Sequence, residues 1–157
     1  SVVEVMGRDA GYIAAYVAMA CGAEAAIVPE QPFDFERDII EPIKEGKKRG
    51  KEQNLIIVAE GVGGSVEMAK RIEKETGIET RATILGHIQR GGSPTVTDRI
   101  TASQMGVHAV QLLAKGIGNR IVARQREEIV DFDIMEGLNM KKKMGNELLD
   151  ISKILSM

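Results

Sequence analysis

The chain has 157 residues, enough for one hydrophobic core or for one and part of a second. Its 21 basic and 23 acidic residues leave a formal charge of −2, and with no Trp, two Tyr and three Phe there is neither a positive field nor a set of stacking platforms for nucleic acid. The longest uncharged stretch, Ala10 to Ala23, falls short of the roughly 20 residues that span a bilayer, and no charged-then-apolar signal segment precedes it, so neither nucleic acid nor membrane is an expected partner.

In chain order, Val2–Val5 is already β-rich when the sequence opens, without an initiator methionine, so a piece of a longer polypeptide is expected. Tyr12–Cys21 reads as an alanine-rich helix. Cys21, the single cysteine, ends the apolar run Ala18-Met19-Ala20-Cys21; it can form no internal disulfide and is expected to be a small core residue in a reducing, cytoplasmic setting. Ala25–Val28 follows as a strand, and Asp34 is placed to cap an amphipathic helix over Phe35–Arg49. Pro42 lacks a backbone donor and should kink that helix or move its start. Leu55–Ala59 is a strand, Ser65–Thr76 a helix ending at Gly77, and Ala82–Leu85 a further strand.

Thr101–Ala114 carries Met105, Val107, Ala109, Val110, Leu112 and Leu113, which predicts a helix with one wide buried face ending at Gly116. A strand is expected at Arg120–Ala123, a solvated turn at Lys141-Lys142-Lys143, and a last helix at Asn146–Leu155 with Leu148, Leu149, Ile151, Ile154 and Leu155 on its apolar face. Helices alternating with continuous apolar strands predict an α/β fold, a parallel sheet with helices on both faces in three αβα layers.

The chemistry gathers in three segments. Arg81-Ala82-Thr83-Ile84-Leu85-Gly86-His87-Ile88-Gln89-Arg90-Gly91-Gly92-Ser93-Pro94 brings an apolar strand to a glycine-rich turn carrying His87 and Arg90. Open α/β sheets collect ligands at the C-terminal ends of their strands, and arginine grips phosphate bidentately. Read alone, the segment fits an anion site or an ordinary loop of solvated arginines. Met6-Gly7-Arg8 lies between a strand and a helix and fits either a plain turn or amides turned toward an anion or sugar hydroxyl. Glu60, at the end of Leu55–Ala59, fits either a solvated strand end or an acceptor for hydroxyls.

Together with Ile27-Val28-Pro29-Glu30, Glu75-Thr76-Gly77 and Asp98-Arg99, these segments resemble the C-terminal half of the 6-phosphofructokinases of the bacterial ATP-dependent type, in order and over nearly the whole chain. The resemblance implies one half of a two-domain Rossmann-like fold. Residues 1–88 and 139–157 would form the sugar-phosphate domain, while 89–138 would pack back on a nucleotide domain. It implies a cytoplasmic, glycolytic, allosteric homotetramer that transfers the ATP γ-phosphoryl group to the 1-hydroxyl of fructose 6-phosphate with Mg2+. Met6, Gly7 and Glu60 would hold the sugar, and His87 and Arg90 its 6-phosphate. Arg81 would reach that phosphate from a neighbouring subunit, and Arg8 would serve the reacting phosphates. Glu24, Arg49 and Lys51 match a site for a nucleoside diphosphate effector, with Glu24 on its magnesium ion. Glu52 departs from the basic residue many bacterial members carry there.

The family's glycine-rich nucleotide loop, Gly-Gly-Asp-Gly-Ser, and its catalytic Thr-Ile-Asp-Asn-Asp segment do not occur in this sequence. His108 matches nothing catalytic and reads as structural. A diphosphate-dependent phosphofructokinase, a non-catalytic sugar-phosphate-binding module, and a phosphosugar isomerase or aldolase using His87 and Glu60 stand as alternatives.

Overall fold

The structure, a computed structural model, describes residues 1–140, 144–145 and 147–156, with the side chains of 155 and 156 outside the description. The expected turn at Lys141-Lys142-Lys143, the Asn146 start of the last helix and the packing of Leu155 all lie outside the described residues. The chain divides into two compact units, Ser1–Arg90 with Met144–Met157, and Gly91–Lys143.

The first unit is a four-stranded parallel sheet in the order β2-β3-β1-β4, formed by β1 (Val2–Val5), β2 (Ala25–Ile27), β3 (Ile56–Ala59) and β4 (Ala82–Ile84). All four residues of β3 are buried, and alternation sends them to opposite faces. Ile56 and Val58 pack with Ile39, Ile40 and Ile43, together with Met68, Ala69 and Ile72 of α3 (Ser65–Thr76). Ile57 and Ala59 pack on the other face with Ala14, Ala15 and Ala18 of α1 (Tyr12–Cys21) and Leu149 of α6 (Glu147–Ser156). A continuous apolar strand therefore needs helices on both sides, and each buried isoleucine contributes roughly 1.5 to 3 kcal/mol.

Pro42 does not kink a continuous α-helix. A π-helical turn, Glu36–Ile40, runs directly into α2 (Glu41–Lys48), with Pro42 in the first turn of the latter, where a missing amide hydrogen costs little. Asp34 Oδ1 accepts the Arg37 amide hydrogen at 2.8 Å, a capping contact for this start. Cys21 is exposed, because the buried face of α1 is Ala14, Ala15 and Ala18, and Cys21 ends the helix beside Gly22, which turns left-handed at φ 61°. In α6, Leu149 and Ser152 are buried while Ile151 and Ile154 are exposed, so its packed face is not the isoleucine side.

The second unit holds α4 (Val96–Ala114), β5 (Arg120–Gln125), β6 (Glu128–Asp133) and α5 (Ile134–Asn139). Arg120–Ala123 is thus not a parallel strand of the main sheet. It belongs to an antiparallel hairpin in which Arg120 faces Asp133 and Gln125 faces Glu128. The helix α4 starts earlier than its apolar pattern, because Thr95 and Asp98 close a reciprocal capping box. None of its residues is buried, and Val107, Val110 and Leu113 are exposed, so the wide apolar face is not buried within the described residues.

His108 of α4 and Arg120 of β5 meet on Asp131 of β6, with His108 Nε2 at 2.8 Å and Arg120 Nε at 2.6 Å from its carboxylate oxygens. The bond to His108, then that to Arg120, hold the Asp131 carboxyl below its ordinary value. A carboxyl depressed by folding stabilises the fold above its unfolded pKa and loses that contribution as pH falls through the folded one. Amide exchange in Arg120–Gln125 is therefore expected to accelerate as pH drops below about 4, after correction for the intrinsic rate. Asp131→Asn should flatten that dependence; an equally steep slope in the variant would assign it to another group.

Candidate functional site

The C-terminal ends of β3, β1 and β4 lie side by side, and the loops leaving them converge. The hub is the turn after β1. Glu60 follows β3, donates its own amide hydrogen to Val5 O at 2.9 Å, and turns its carboxylate onto that neighbouring loop. Glu60 Oε1 accepts the amide hydrogens of Gly7, at 3.1 Å, and Arg8, at 2.5 Å. Among the described residues Oε2 has no hydrogen-bond partner, which leaves one carboxylate oxygen for a ligand hydroxyl. The two backbone bonds, Arg8 first, hold the Glu60 carboxyl below its ordinary value against the cost of desolvation, and the charges of Arg90 and Arg8 act in the same direction. Glu60 is accordingly an anion that feels two arginines.

Close approach of the loops depends on Gly61. A Cβ there would lie 2.3 Å from Arg8 O, so no side chain fits between the β3 and β1 loops. Arg8 itself adopts the left-handed region at φ 52° and is exposed. On the other flank, β4 ends in a 3-10 turn, Gly86–Gln89, entered through Gly86 at φ 51°. His87 and Arg90 are exposed on this turn, joined by the Arg90 amide hydrogen to His87 O at 2.9 Å.

The structure thus brings Met6, Gly7, Arg8, Glu60, His87 and Arg90 to one sheet edge, but not Arg81. Arg81 precedes β4, at the opposite end of the strand from His87; its side chain is 81% exposed and its only described ion pair is with Glu79 at 2.8 Å. Two contacts escaped sequence reasoning. Gln89 Oε1 accepts the Met6 amide hydrogen at 3.3 Å, and both oxygens of Glu30 accept that of Gly11, at 2.9 and 3.1 Å, ahead of α1. The signal available was residue type alone, a carboxamide and a carboxylate beside strand ends.

Glu24, Arg49 and Lys51 lie elsewhere in the first unit. Glu24 is buried at the start of β2, with Lys51 Nζ 2.6 Å from Oε1. Both residues line a cavity of about 540 Å³ shared with Gly22, Gln53 and Asn54. Arg49 instead joins Glu24 around a second cavity of about 360 Å³, along β2 and α6. Among the described residues no three metal-ligating side chains cluster, so Glu24 offers a single carboxylate. That suffices for a magnesium ion held together with ligand phosphates, since such ions use one or two carboxylates and keep their waters. No helix of the described residues is long and apolar enough to cross a membrane.

A family model described as Phosphofructokinase matches residues 1–113. The ATP-dependent 6-phosphofructokinases of Clostridium acetobutylicum and Clostridium tetani are 53% and 55% identical to the chain over 156 residues, covering 99% of it and 49% of each relative. That of Alkaliphilus metalliredigens is 51% identical over the same span. The chain therefore spans about half the length of the curated relatives it matches. A solved phosphofructokinase structure from Saccharomyces cerevisiae shares the fold, with a TM-score of 0.80 and 24% identity over 99% of this chain and 24% of that one.

Proposed function

The chain belongs to the phosphofructokinase family, and from that premise we propose that it is the fructose 6-phosphate-binding part of an ATP-dependent 6-phosphofructokinase. The observation that carries this reading is the convergence of Glu60, the Met6–Arg8 turn and Arg90 at one sheet edge, where two guanidinium charges act on one carboxylate. Such a set suits a sugar phosphate: Glu60 Oε2 accepts from ring hydroxyls, while His87 and Arg90 take the 6-phosphate through charge-assisted bonds.

In the reaction, the 1-hydroxyl oxygen of the sugar attacks the γ-phosphorus of ATP and ADP leaves. This chain contributes orientation, and Arg8 contributes charge stabilisation where negative charge gathers on the transferred group. No residue here is assigned to the nucleotide cradle or to the base that takes the hydroxyl proton; the other half of the enzyme would supply both. Magnesium would neutralise phosphate charge there. The similarity to enzymes named as ATP-dependent favours ATP over diphosphate as donor, and an enzyme over a binding module.

Arg81, exposed just before the edge strand β4 and at its opposite end from His87, suits delivery to a neighbouring copy, which supports a homo-oligomer. Glu24, Arg49 and Lys51 form the proposed site of a nucleoside diphosphate effector: Lys51 and Arg49 would take phosphates and Glu24 the magnesium ion. The division of labour proposed for the chain places 1–88 with 139–157 in the sugar-phosphate domain and 89–138 against the nucleotide domain. Soluble glycolytic work in the cytoplasm follows from the same reading.

Ligand-induced changes in amide resonances test both sites together. Fructose 6-phosphate is expected to move Met6–Arg8, Glu60 and His87–Arg90, and a nucleoside diphosphate with magnesium to move Glu24, Arg49 and Lys51. Sugar-phosphate binding that leaves the first set in place would refute the assignment.

A further inference from the structure

The ladder between β1 and β4 has a regular rhythm. The Val2 amide hydrogen donates to Arg81 O at 2.9 Å, and two residues on, the Leu85 amide hydrogen donates to Glu4 O at 3.2 Å. Alternation in a parallel pair makes the next rung the Met6 amide hydrogen donating to Leu85 O. That rung is not made. Leu85 has turned helical, at φ −73° and ψ −37°, as the chain enters the 3-10 turn, so its carbonyl follows the turn and leaves the sheet.

We infer that the carboxamide of Gln89 supplies the missing rung and is a positioning residue for the sugar-phosphate site. Gln89 Oε1 accepts the Met6 amide hydrogen at 3.3 Å, in place of the lost strand carbonyl. Gln89 Nε2 donates to Gly86 O at 3.2 Å, at the first residue of the same turn. A carboxamide has the donor and acceptor of a peptide group, so one side chain ties the β1 turn to the His87–Arg90 turn at the point where the backbone ladder gives out. Glu60 holds the same β1 turn from the β3 side through Gly7 and Arg8. The sugar-holding turn is therefore clamped from both flanks. The Gln89 clamp sets the spacing between Met6–Arg8 and the pair His87 and Arg90, the two ends of a bound sugar phosphate.

This inference rests on the sugar-phosphate reading, and its test separates the two. Gln89→Met keeps the length of the side chain and removes both bonds. Gln89→Glu keeps the acceptor for Met6 and removes the donor. In the full-length polypeptide carrying this chain, Gln89→Met is expected to speed exchange of the Met6 amide about tenfold, in keeping with the loss of one net hydrogen bond. It should raise KM for fructose 6-phosphate about as much, with KM for ATP and the thermal midpoint nearly unchanged. Gln89→Glu should retain protection at Met6, and it gives the same readout should the methionine variant fail to fold. Unchanged Met6 exchange in Gln89→Met, or lost protection in Gln89→Glu, overturns the rung. Faster Met6 exchange with an unchanged sugar-phosphate KM, while Arg90→Ala raises that KM, overturns the positioning role. If Arg90→Ala leaves it unchanged as well, the sugar-phosphate reading fails, and the rung is decided by Met6 exchange.

Discussion

Arg90→Ala, in the full-length polypeptide that carries this chain, is expected to raise KM for fructose 6-phosphate roughly 30- to 150-fold and to leave KM for ATP near its starting value. The factor corresponds to about 2 to 3 kcal/mol, the range for a lost charge-assisted contact to a phosphate. The asymmetry matters more than the size. Arg90 lies on the turn after β4 and its charge is felt by Glu60 across the β1 loop, so the loss falls on the sugar phosphate. Steady-state kinetics with each substrate varied in turn checks this. A folded variant in which both constants rise together, or neither does, removes Arg90 from the site.

The larger effect is expected without any substitution. A verified 157-residue preparation supplied with ATP, magnesium and fructose 6-phosphate should form no fructose bisphosphate above background. Phosphoryl transfer is nearly all positioning and charge stabilisation, and this sequence contains neither a Gly-Gly-Asp-Gly-Ser loop nor a Thr-Ile-Asp-Asn-Asp segment to position the donor or receive the hydroxyl proton. A coupled assay detects very slow turnover. Sustained activity that tracks the chain through purification, and disappears in Glu60→Gln, would place donor site and base within these residues and overturn the proposed division of labour.

Much of the main sheet was legible because its signals are local. The apolar run of β1, the alanine-rich α1 and the glycine-terminated α3 have the bounds their sequences predict. The second unit was less legible for a physical reason. The hairpin of β5 and β6 turns at Arg126 with φ 57°, and neither Arg126 nor Glu127 belongs to the Gly, Asn and Asp set that announces such a turn. Arg120–Ala123 therefore looked like one more member of a parallel series. The exposure of Cys21 was hidden by its alanine neighbours, since residue type in an alanine-rich helix does not reveal which side of it is packed.

The candidate site divides in the same way. His87, Arg90 and Glu60 could be singled out by type and by their place at strand ends, with the resemblance supplying their roles. Gln89 could not, because its part depends on a carbonyl that turns away four residues earlier. Two amides on one oxygen of Glu60 were equally invisible, being a property of how two loops meet.

Arg8 carries one more consequence. A left-handed backbone costs a residue with a Cβ roughly 1 to 2 kcal/mol, which glycine or asparagine would largely avoid. Here the conformation is imposed by Glu60, which accepts the Arg8 amide hydrogen, and by Gly61, which lets the Arg8 carbonyl approach. Folding stability alone would thus favour replacing this arginine. Selection for a robust fold and selection for the guanidinium pull in opposite directions at position 8, and screens that reward thermal stability would tend to discard the residue on which phosphoryl transfer is proposed to depend.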